Sequence, residues 1–495
     1  MKIALISPYP DITAFGVRTL AAHVKAHGHE AAIIFLPDPF GDHIVDGMER
    51  YPAEVLRQAA EVCAGSDLIG VSLMTNHFYG AVQITRELRA RLKTPILWGG
   101  VHPTIRPEEC IEYADMVCIG EGEDTLLALL DAMQAGRPVQ DTPSCWVRHA
   151  GGITKNPLAC LPGDLDRYPP PDYSMEDHHV LDGDRIVPLD HALLQKFLGK
   201  GTVAKHLGRT GYQTMTSRDC PYSCTYCIND TIRRMYGGQA KLRWRSVDHV
   251  IGELSRVRKE MPYVDYIWIS DDEFMARKKE DLEEFCRRYQ AEIAMPFSCL
   301  VSPVSVTEEK MGMLVDAGLC YVQMGVESGS PRMQELFHRK NMGNDRLMKA
   351  IKVINKFKDR MAPPSYDFLL DVPFETDADQ IETIRLISRF PKPYRLQPFS
   401  VVLYPGTQLY NMAKEQGLIR DERLEIYNKT YVMHAPTYLN LIIALAKSGK
   451  MPGALLRMLV TPWLVGPLQN GPLRPAIAAL YRLLRNVRRT AAPAV

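Results

Sequence analysis

The stretch Thr214-Met215-Thr216-Ser217-Arg218-Asp219-Cys220-Pro221-Tyr222-Ser223-Cys224-Thr225-Tyr226-Cys227-Ile228-Asn229-Asp230 puts three thiols into eight residues at spacing C-x3-C-x2-C. So short a loop can aim all three sulfurs at one point. Three thiolates suit an iron–sulfur cluster, and a cubane held by only three protein sulfurs keeps one iron free for a non-protein ligand. A catalytic zinc site likewise keeps one coordination position open. A structural zinc site would need a fourth ligand, and no further Cys or His pair stands at the usual spacing. Three unrelated buried thiols are the remaining alternative. The run Tyr212 to Thr216 has strand character, so the thiols follow a strand's C-terminal end, where barrel enzymes place their chemistry.

Downstream, apolar runs alternate with helical segments. Strands are expected near Tyr212, Tyr266, Phe297, Tyr321, Tyr366 and Pro398, which predicts a partial (β/α)6 barrel over residues 207–425. Several of these runs end in acids, as in Tyr266-Ile267-Trp268-Ile269-Ser270-Asp271-Asp272-Glu273-Phe274. Taken singly, Asp271, Asp272 and Glu327 read as helix caps or solvated loop charges. Their succession at strand ends after a cysteine triplet makes them site candidates.

Upstream, residues 1–140 alternate strand and helix. Lys2 to Ser7, Glu30 to Leu36, Leu68 to Leu73, Ile96 to Trp98 and Met116 to Ile119 read as strands; Val17 to His27, Pro52 to Cys63, Tyr79 to Leu92 and Glu123 to Met133 read as helices. That order predicts a doubly wound, Rossmann-like parallel sheet with ligands beyond the carboxyl ends of its strands. The loops there are small and polar: Ser7-Pro8-Tyr9-Pro10, Ser72-Leu73-Met74-Thr75-Asn76, Gly99-Gly100-Val101-His102-Pro103-Thr104 and Gly120-Glu121-Gly122-Glu123. Any one of them alone reads equally well as a tight strand-to-helix turn. No G-x-G-x-x-G follows the first strand, so the dinucleotide fingerprint is absent.

With Tyr226 in the aromatic position of C-x3-C-x-aromatic-C, the triplet resembles that of the radical S-adenosylmethionine (SAM) superfamily. The resemblance implies that Cys220, Cys224 and Cys227 bind a [4Fe-4S] cluster and that the open iron takes the methionine moiety of SAM, whose reductive cleavage yields a 5′-deoxyadenosyl radical. It extends along the chain in order. Asp272 and Glu273 end a strand similar to the family's second, and Gly325-Val326-Glu327-Ser328-Gly329-Ser330 is similar to G-x-E-S-G, which implies that Glu327, Ser328 and Ser330 approach SAM. Arg339 and Lys340 stand where the family commonly carries a basic residue. Asp371-Val372-Pro373-Phe374-Glu375-Thr376 resembles G-x-P-G-E-T with Asp371 and Phe374 in place of both glycines, and Leu403-Tyr404-Pro405-Gly406-Thr407 is similar to the sixth-strand ending.

A doubly wound domain ahead of such a barrel resembles the cobalamin-dependent radical SAM enzymes, related to the anaerobic magnesium-protoporphyrin monomethyl ester cyclase and to radical methylases. This implies cobalamin as a cofactor, with Ser7, Pro8, Ser72, Leu73, Met74, Thr75, Gly99, Gly100, Val101, His102, Gly120, Glu121 and Gly122 in the loops that would meet it. The D-x-H-x-x-G motif that supplies a lower axial histidine elsewhere is missing, so His102 is expected in a structural or nucleotide-tail role. The implied reaction is methylation of an unactivated carbon. The alternatives are a radical cyclase or carbon–carbon coupling enzyme, or a cobalamin-responsive binding protein.

Composition agrees with an enzyme. The 495 residues predict about three domains, and 59 Lys plus Arg against 58 Asp plus Glu disfavour a nucleic-acid binder that works through a global positive field. Eleven cysteines without a secretory signal suggest a reduced, cytoplasmic setting, and no apolar window is long enough to span a membrane. A small-molecule or lipid substrate and an external electron donor such as flavodoxin or ferredoxin are the partners expected. The Pro-, Gly- and Asp-rich residues 141–206 read as a linker. Residues 426–495 read as a basic helical region: from Tyr438 onward there are eight Lys or Arg and no acid. That region is expected to cap the barrel, with contact to a membrane surface as the alternative.

Overall fold

A computed structural model describes residues 1–9, 11–37, 50–238, 241–339, 341–432 and 434–490, with side chains at all but 202 and 485–490. Pro10 and Lys340, singled out above, lie outside the described residues. The chain forms two compact units, Met1–Cys220 with Cys227–Ser270 and Leu403–Lys429, and Pro221–Tyr226 with Asp271–Val402 and Thr430–Val495.

The first unit is built on a nine-stranded sheet. Its strands are β1 (Lys2–Ser7), β2 (Glu30–Phe35), β3 (Leu68–Ser72), β4 (Ile96–Gly99), β5 (Met116–Cys118), β6 (Cys145–His149), β7 (Gly152–Lys155), β8 (His179–Asp182) and β9 (Arg185–Pro188), in the order β7-β6-β5-β4-β3-β1-β2-β8-β9. β1 to β5 are parallel and nearly continuously apolar, because helices such as Phe15–Ala26 and Phe78–Arg91 cover a parallel sheet on both faces. Strand order reverses at β1, which lies between β2 and β3, so the carboxyl ends of β1 and β3 flank the crevice where this architecture takes ligands. Residues 141–206, expected as a linker, instead supply the antiparallel edge pair β6 and β7 and the hairpin β8–β9. Strands of four or five residues among prolines and glycines leave too short an apolar pattern to be read from the sequence.

The same unit holds β10 (Gly211–Thr214), β11 (Ser217–Arg218), β12 (Arg243–Trp244) and β13 (Tyr266–Ile269); β10 and β13 pair in parallel, and β11 with β12 makes an antiparallel ribbon just before Cys220. The second unit carries β14 (Phe297–Val301), β15 (Leu319–Glu327), β16 (Ser365–Leu370) and β17 (Arg395–Ser400), each parallel to the next, with helices Glu308–Ala317, Asn344–Asn355 and Asp377–Ile387 between them. All six strands expected of the partial barrel are therefore present. In the second unit, helix Tyr438–Ala446 is buried along most of its length.

Candidate functional site

At the β1/β3 end of the first sheet the loop residues form a polar shelf. Ser7 is buried and its hydroxyl has no partner among the described residues; neither has the side-chain oxygen of Asn76. Tyr9 bonds to the Ser72 hydroxyl and packs edge-on against His77 at 5.3 Å, while Met74 stands exposed beside them. Ser72, Gly99, Gly100 and Val101 are half-buried along this edge; Pro8, Leu73 and Thr75 are buried beneath it. His102 is enclosed: its Nδ1 lies 3.1 Å from the Thr75 hydroxyl, its Nε2 3.5 Å from Glu109, and its ring packs on Phe78 and Tyr427. It braces the turn between helices Val101–Ile105 and Pro107–Cys110 through Thr75 and its ring contacts, while its Nε2 makes no hydrogen bond among the described residues.

The loop Gly120–Glu123 after β5 has partners that the sequence reading missed. Arg218 on β11 donates to Glu121 at 2.9 Å and to Glu123 at 2.5 Å. Arg243 on β12 pairs with Glu121, donates to Asp219 at 2.8 Å and reaches the Pro162 carbonyl at 3.0 Å. Burial opposes the charge on Glu123, yet Arg218 holds its carboxyl below the ordinary range. Asp219, directly before Cys220, takes φ +73°, and Arg243 fixes its carboxylate. Gly120 has φ +84°, and a Cβ there would fall 1.9 Å from the Tyr236 hydroxyl at the end of the helix that follows Cys227. The Glu121 N–H donates to that hydroxyl at 3.3 Å. The loop thus grips the chain on both sides of the triplet, through ion pairs before Cys220 and through Tyr236 after Cys227.

Within the second unit, segment 221–226 is anchored at several points. Tyr222 shares a 2.7 Å hydrogen bond with Ser302, the Thr225 hydroxyl donates to the Leu336 carbonyl at 2.9 Å, and the Tyr226 ring meets Phe337 edge-on. Arg339 organises the rest. Its guanidinium donates to the Tyr226 hydroxyl at 3.1 Å and to the Gly325 carbonyl at 2.6 Å, and lies 3.5 Å from Glu327. Burial pushes the Cys224 thiol's pKa up, and the Arg339 cation pulls it back. Burial likewise raises the pKa of Glu327, against Arg339. Glu327 holds φ +65° where β15 bulges against β16.

Of the neighbouring acids, Asp272 is exposed, whereas Asp271 and Glu273 are fully buried. Glu273 accepts from Ser305 at 2.8 Å, and its second oxygen has no partner among the described residues. Burial raises its pKa while Ser302 and Ser305 oppose that, so a hydroxyl chain joins Tyr222 of the cysteine segment to Glu273. The hydroxyls of Ser328 and Ser330 are already engaged, by Thr383 at 3.1 Å and Asp379 at 2.5 Å. Gly329 between them is required, since its Cβ would lie 2.7 Å from the Thr383 Cα. Asp367 on β16 was also missed: Gln323 donates to one oxygen at 2.7 Å, the other is buried without a partner among the described residues, and burial pushes its pKa well up. Alternation along β15 and β16 was the available signal, since Gln323 and Asp367 sit on their half-exposed positions.

The donor set fits a cluster: Cys220, Cys224 and Cys227 are thiols outside any disulfide, one buried and two half-buried, and Cys224 faces a fixed cation. Among the described residues, no three His, Cys, Asp or Glu side chains converge as a ready site for a single ion. A cubane asks for something else, because each thiolate binds a different iron.

Comparison with known proteins agrees with this reading. The B12 binding domain model matches residues 1–130 and the radical SAM superfamily model matches residues 214–387. The chain is 28% identical over 362 residues to an uncharacterized methyltransferase of Pyrococcus horikoshii, covering 71% of this chain and 70% of that protein. It is 24% identical over 381 residues to the bacteriochlorophyllide d C-8(2)-methyltransferase of Chlorobaculum tepidum, covering 74% and 72%. Its fold is similar to that of the cobalamin-dependent S-adenosylmethionine radical enzyme OxsB, solved with aqua-cobalamin and S-adenosylmethionine bound, at a TM-score of 0.65 and 16% identity over 98% of this chain and 71% of that one.

Proposed function

We propose, from the premise that this chain carries a B12-binding domain followed by a radical SAM domain, that it is a cobalamin-dependent radical SAM enzyme that methylates an unactivated carbon. The observation that carries the reading is the cysteine triplet, with Arg339, Tyr226 and Glu327 organised around Cys224. When bound, the cluster and SAM supply a 5′-deoxyadenosyl radical and the corrin supplies methyl, which suits a carbon that offers neither an acidic proton nor a lone pair.

The protein's part is binding and placement. Cys220, Cys224 and Cys227 hold the cluster. Arg339, fixed by the Gly325 carbonyl and Tyr226, keeps a positive charge beside Cys224 and steadies Glu327, which we assign with the free oxygen of Glu273 to the polar groups of SAM. Ser328 and Ser330 act by shaping the Gly329 turn, and Asp272 lies outside this set. Ser7, Ser72, Met74 and Gly99-Gly100 would hold the corrin, and His102, enclosed beside Thr75 and Glu109, would brace the loop beneath it. The partners are a small-molecule or lipid substrate and an electron donor of flavodoxin or ferredoxin type, in a cytoplasmic setting.

Anaerobic reconstitution with iron, sulfide and hydroxocobalamin tests this. A cluster absorption, a corrin band, reductant-dependent 5′-deoxyadenosine, and transfer of label from SAM carrying a deuterated methyl group are expected. Loss of 5′-deoxyadenosine should follow Cys220→Ala, Cys224→Ala or Cys227→Ala. A corrin-bound enzyme that forms 5′-deoxyadenosine and product without label would be a cyclase or coupling enzyme instead, and a chain that binds corrin but no cluster would be a cobalamin-responsive binding protein.

A further inference from the structure

Residues from Tyr438 onward separate into two kinds of helix. Helix Tyr438–Ala446 is core: Leu439, Leu441, Ile442 and Ile443 are buried and Asn440 donates to Asp371 at 2.7 Å. Helix Arg474–Thr490 differs. It packs through Tyr481, with Ile477 and Ala478 half-buried. A helix that served only as a cap would turn polar residues outward. Here Leu473, just before the helix, and Leu480, Leu483 and Leu484 on it are exposed, and Leu483 is 61% so. With Ala476 they recur at helical spacing in a stripe about 100° wide, away from the packed face. Nearby, Leu455, Met458 and Trp463 also stand out, Trp463 at 68% exposure. Among the described residues, eight of the fourteen large apolar side chains left exposed fall between Leu445 and Leu484, so the apolar surface is concentrated here.

The charge of this region selects the occupant. Lys447, Lys450, Arg457, Arg474 and Arg482 are all exposed, and residues 438–495 contain no Asp or Glu. A second protein would have to match eight basic residues with acids around an apolar centre; an anionic bilayer offers both without a fitted surface. Among the described residues no helix is long and apolar enough to cross a membrane. A helix with an exposed leucine stripe, a neighbouring exposed tryptophan and exposed arginines is the pattern that lies in the lipid interface.

We infer that residues 455–484 form a peripheral contact with an anionic lipid bilayer, with the Leu473–Leu484 stripe in the acyl boundary and Arg457, Arg474 and Arg482 among the headgroups. The inference stands on this surface alone and is independent of the reaction. Full-length protein should sediment with phosphatidylcholine vesicles that contain phosphatidylglycerol, less so as salt rises, and not with pure phosphatidylcholine vesicles. Leu480→Glu with Leu483→Glu should lower vesicle affinity by roughly tenfold or more, with circular dichroism and melting temperature unchanged because neither side chain is packed. The inference is overturned by absent sedimentation, by equal sedimentation of the double variant, or by light scattering that finds a dimer lost in that variant, which would make the stripe a contact between two copies.

Discussion

Glu375 lies in the turn after β16, where burial pushes its carboxyl up to about 8 and the Gln380 amide, 3.1 Å away, opposes the rise. The folded chain therefore holds a proton that the unfolded chain releases near its ordinary value of 4.5. Stability from this group is complete below that value and is lost as pH rises toward and through about 8. Glu375→Gln mimics the protonated form and keeps a hydrogen-bonding group beside Gln380. Denaturant melts between about pH 6 and about pH 9 should fall more steeply for the natural chain than for the variant, by up to about 1.4 kcal/mol per pH unit within the window. Parallel curves would mean that Glu375 is already ionised.

At the scale of elements, Asp371 shows how a departure from a motif can be put to use. It takes φ +59°, the region that favours the glycine it replaces. Its carboxylate accepts from the Ser400 hydroxyl at 2.7 Å, the Ala435 N–H at 3.0 Å and the Asn440 amide at 2.7 Å, tying the ends of β16 and β17 to helix Tyr438–Ala446. Asp371→Ala keeps the backbone cost and loses the anchor, so a loss of about 1.5–3 kcal/mol is expected. Asp371→Gly relieves the backbone cost and should be milder by about 1 kcal/mol. Urea melts of the two decide it, and equal losses would show that backbone strain contributes nothing. At Gly329, alanine is expected to cost about 1–3 kcal/mol, since a Cβ 2.7 Å from the Thr383 Cα forces two backbones apart; an unchanged melt would mean the turn can shift.

These elements also mark what the sequence could disclose. Strands β1 to β5 and the six barrel strands were legible because each is an apolar run beside a helical repeat, and the triplet because its spacing is local. The choice of Asp272 over Asp271 had no local signal behind it, since adjacent acids differ only in which way the loop turns them. The four short strands of residues 141–206 lacked a long enough pattern. The ion pairs of the Gly120–Glu123 loop had no local signal, because they reach arginines about a hundred residues further on.

At the scale of the molecule, that loop makes the chain around the cysteine segment depend on the B12-binding domain. Glu121 and Asp219 share Arg243, so Arg243→Met leaves two carboxylates without their common cation, and Glu121→Gln leaves Arg243 with the Asp219 carboxylate and the Pro162 carbonyl. Breaking one partner of a buried pair costs more than replacing both by neutral groups. The double variant should therefore be more stable than the sum of the single losses allows, with a coupling of about 1–3 kcal/mol by urea denaturation. The same grip acts on Cys220 through Asp219 and follows Cys227 through Tyr236. Gly120→Ala, which drives a Cβ into the Tyr236 hydroxyl, should thus lower the iron retained per chain after reconstitution although every thiol is intact. Additive losses together with full iron retention would show that the loop merely lies beside the cysteine segment; coupling with iron loss would make it the brace by which one domain holds the other's cluster in place.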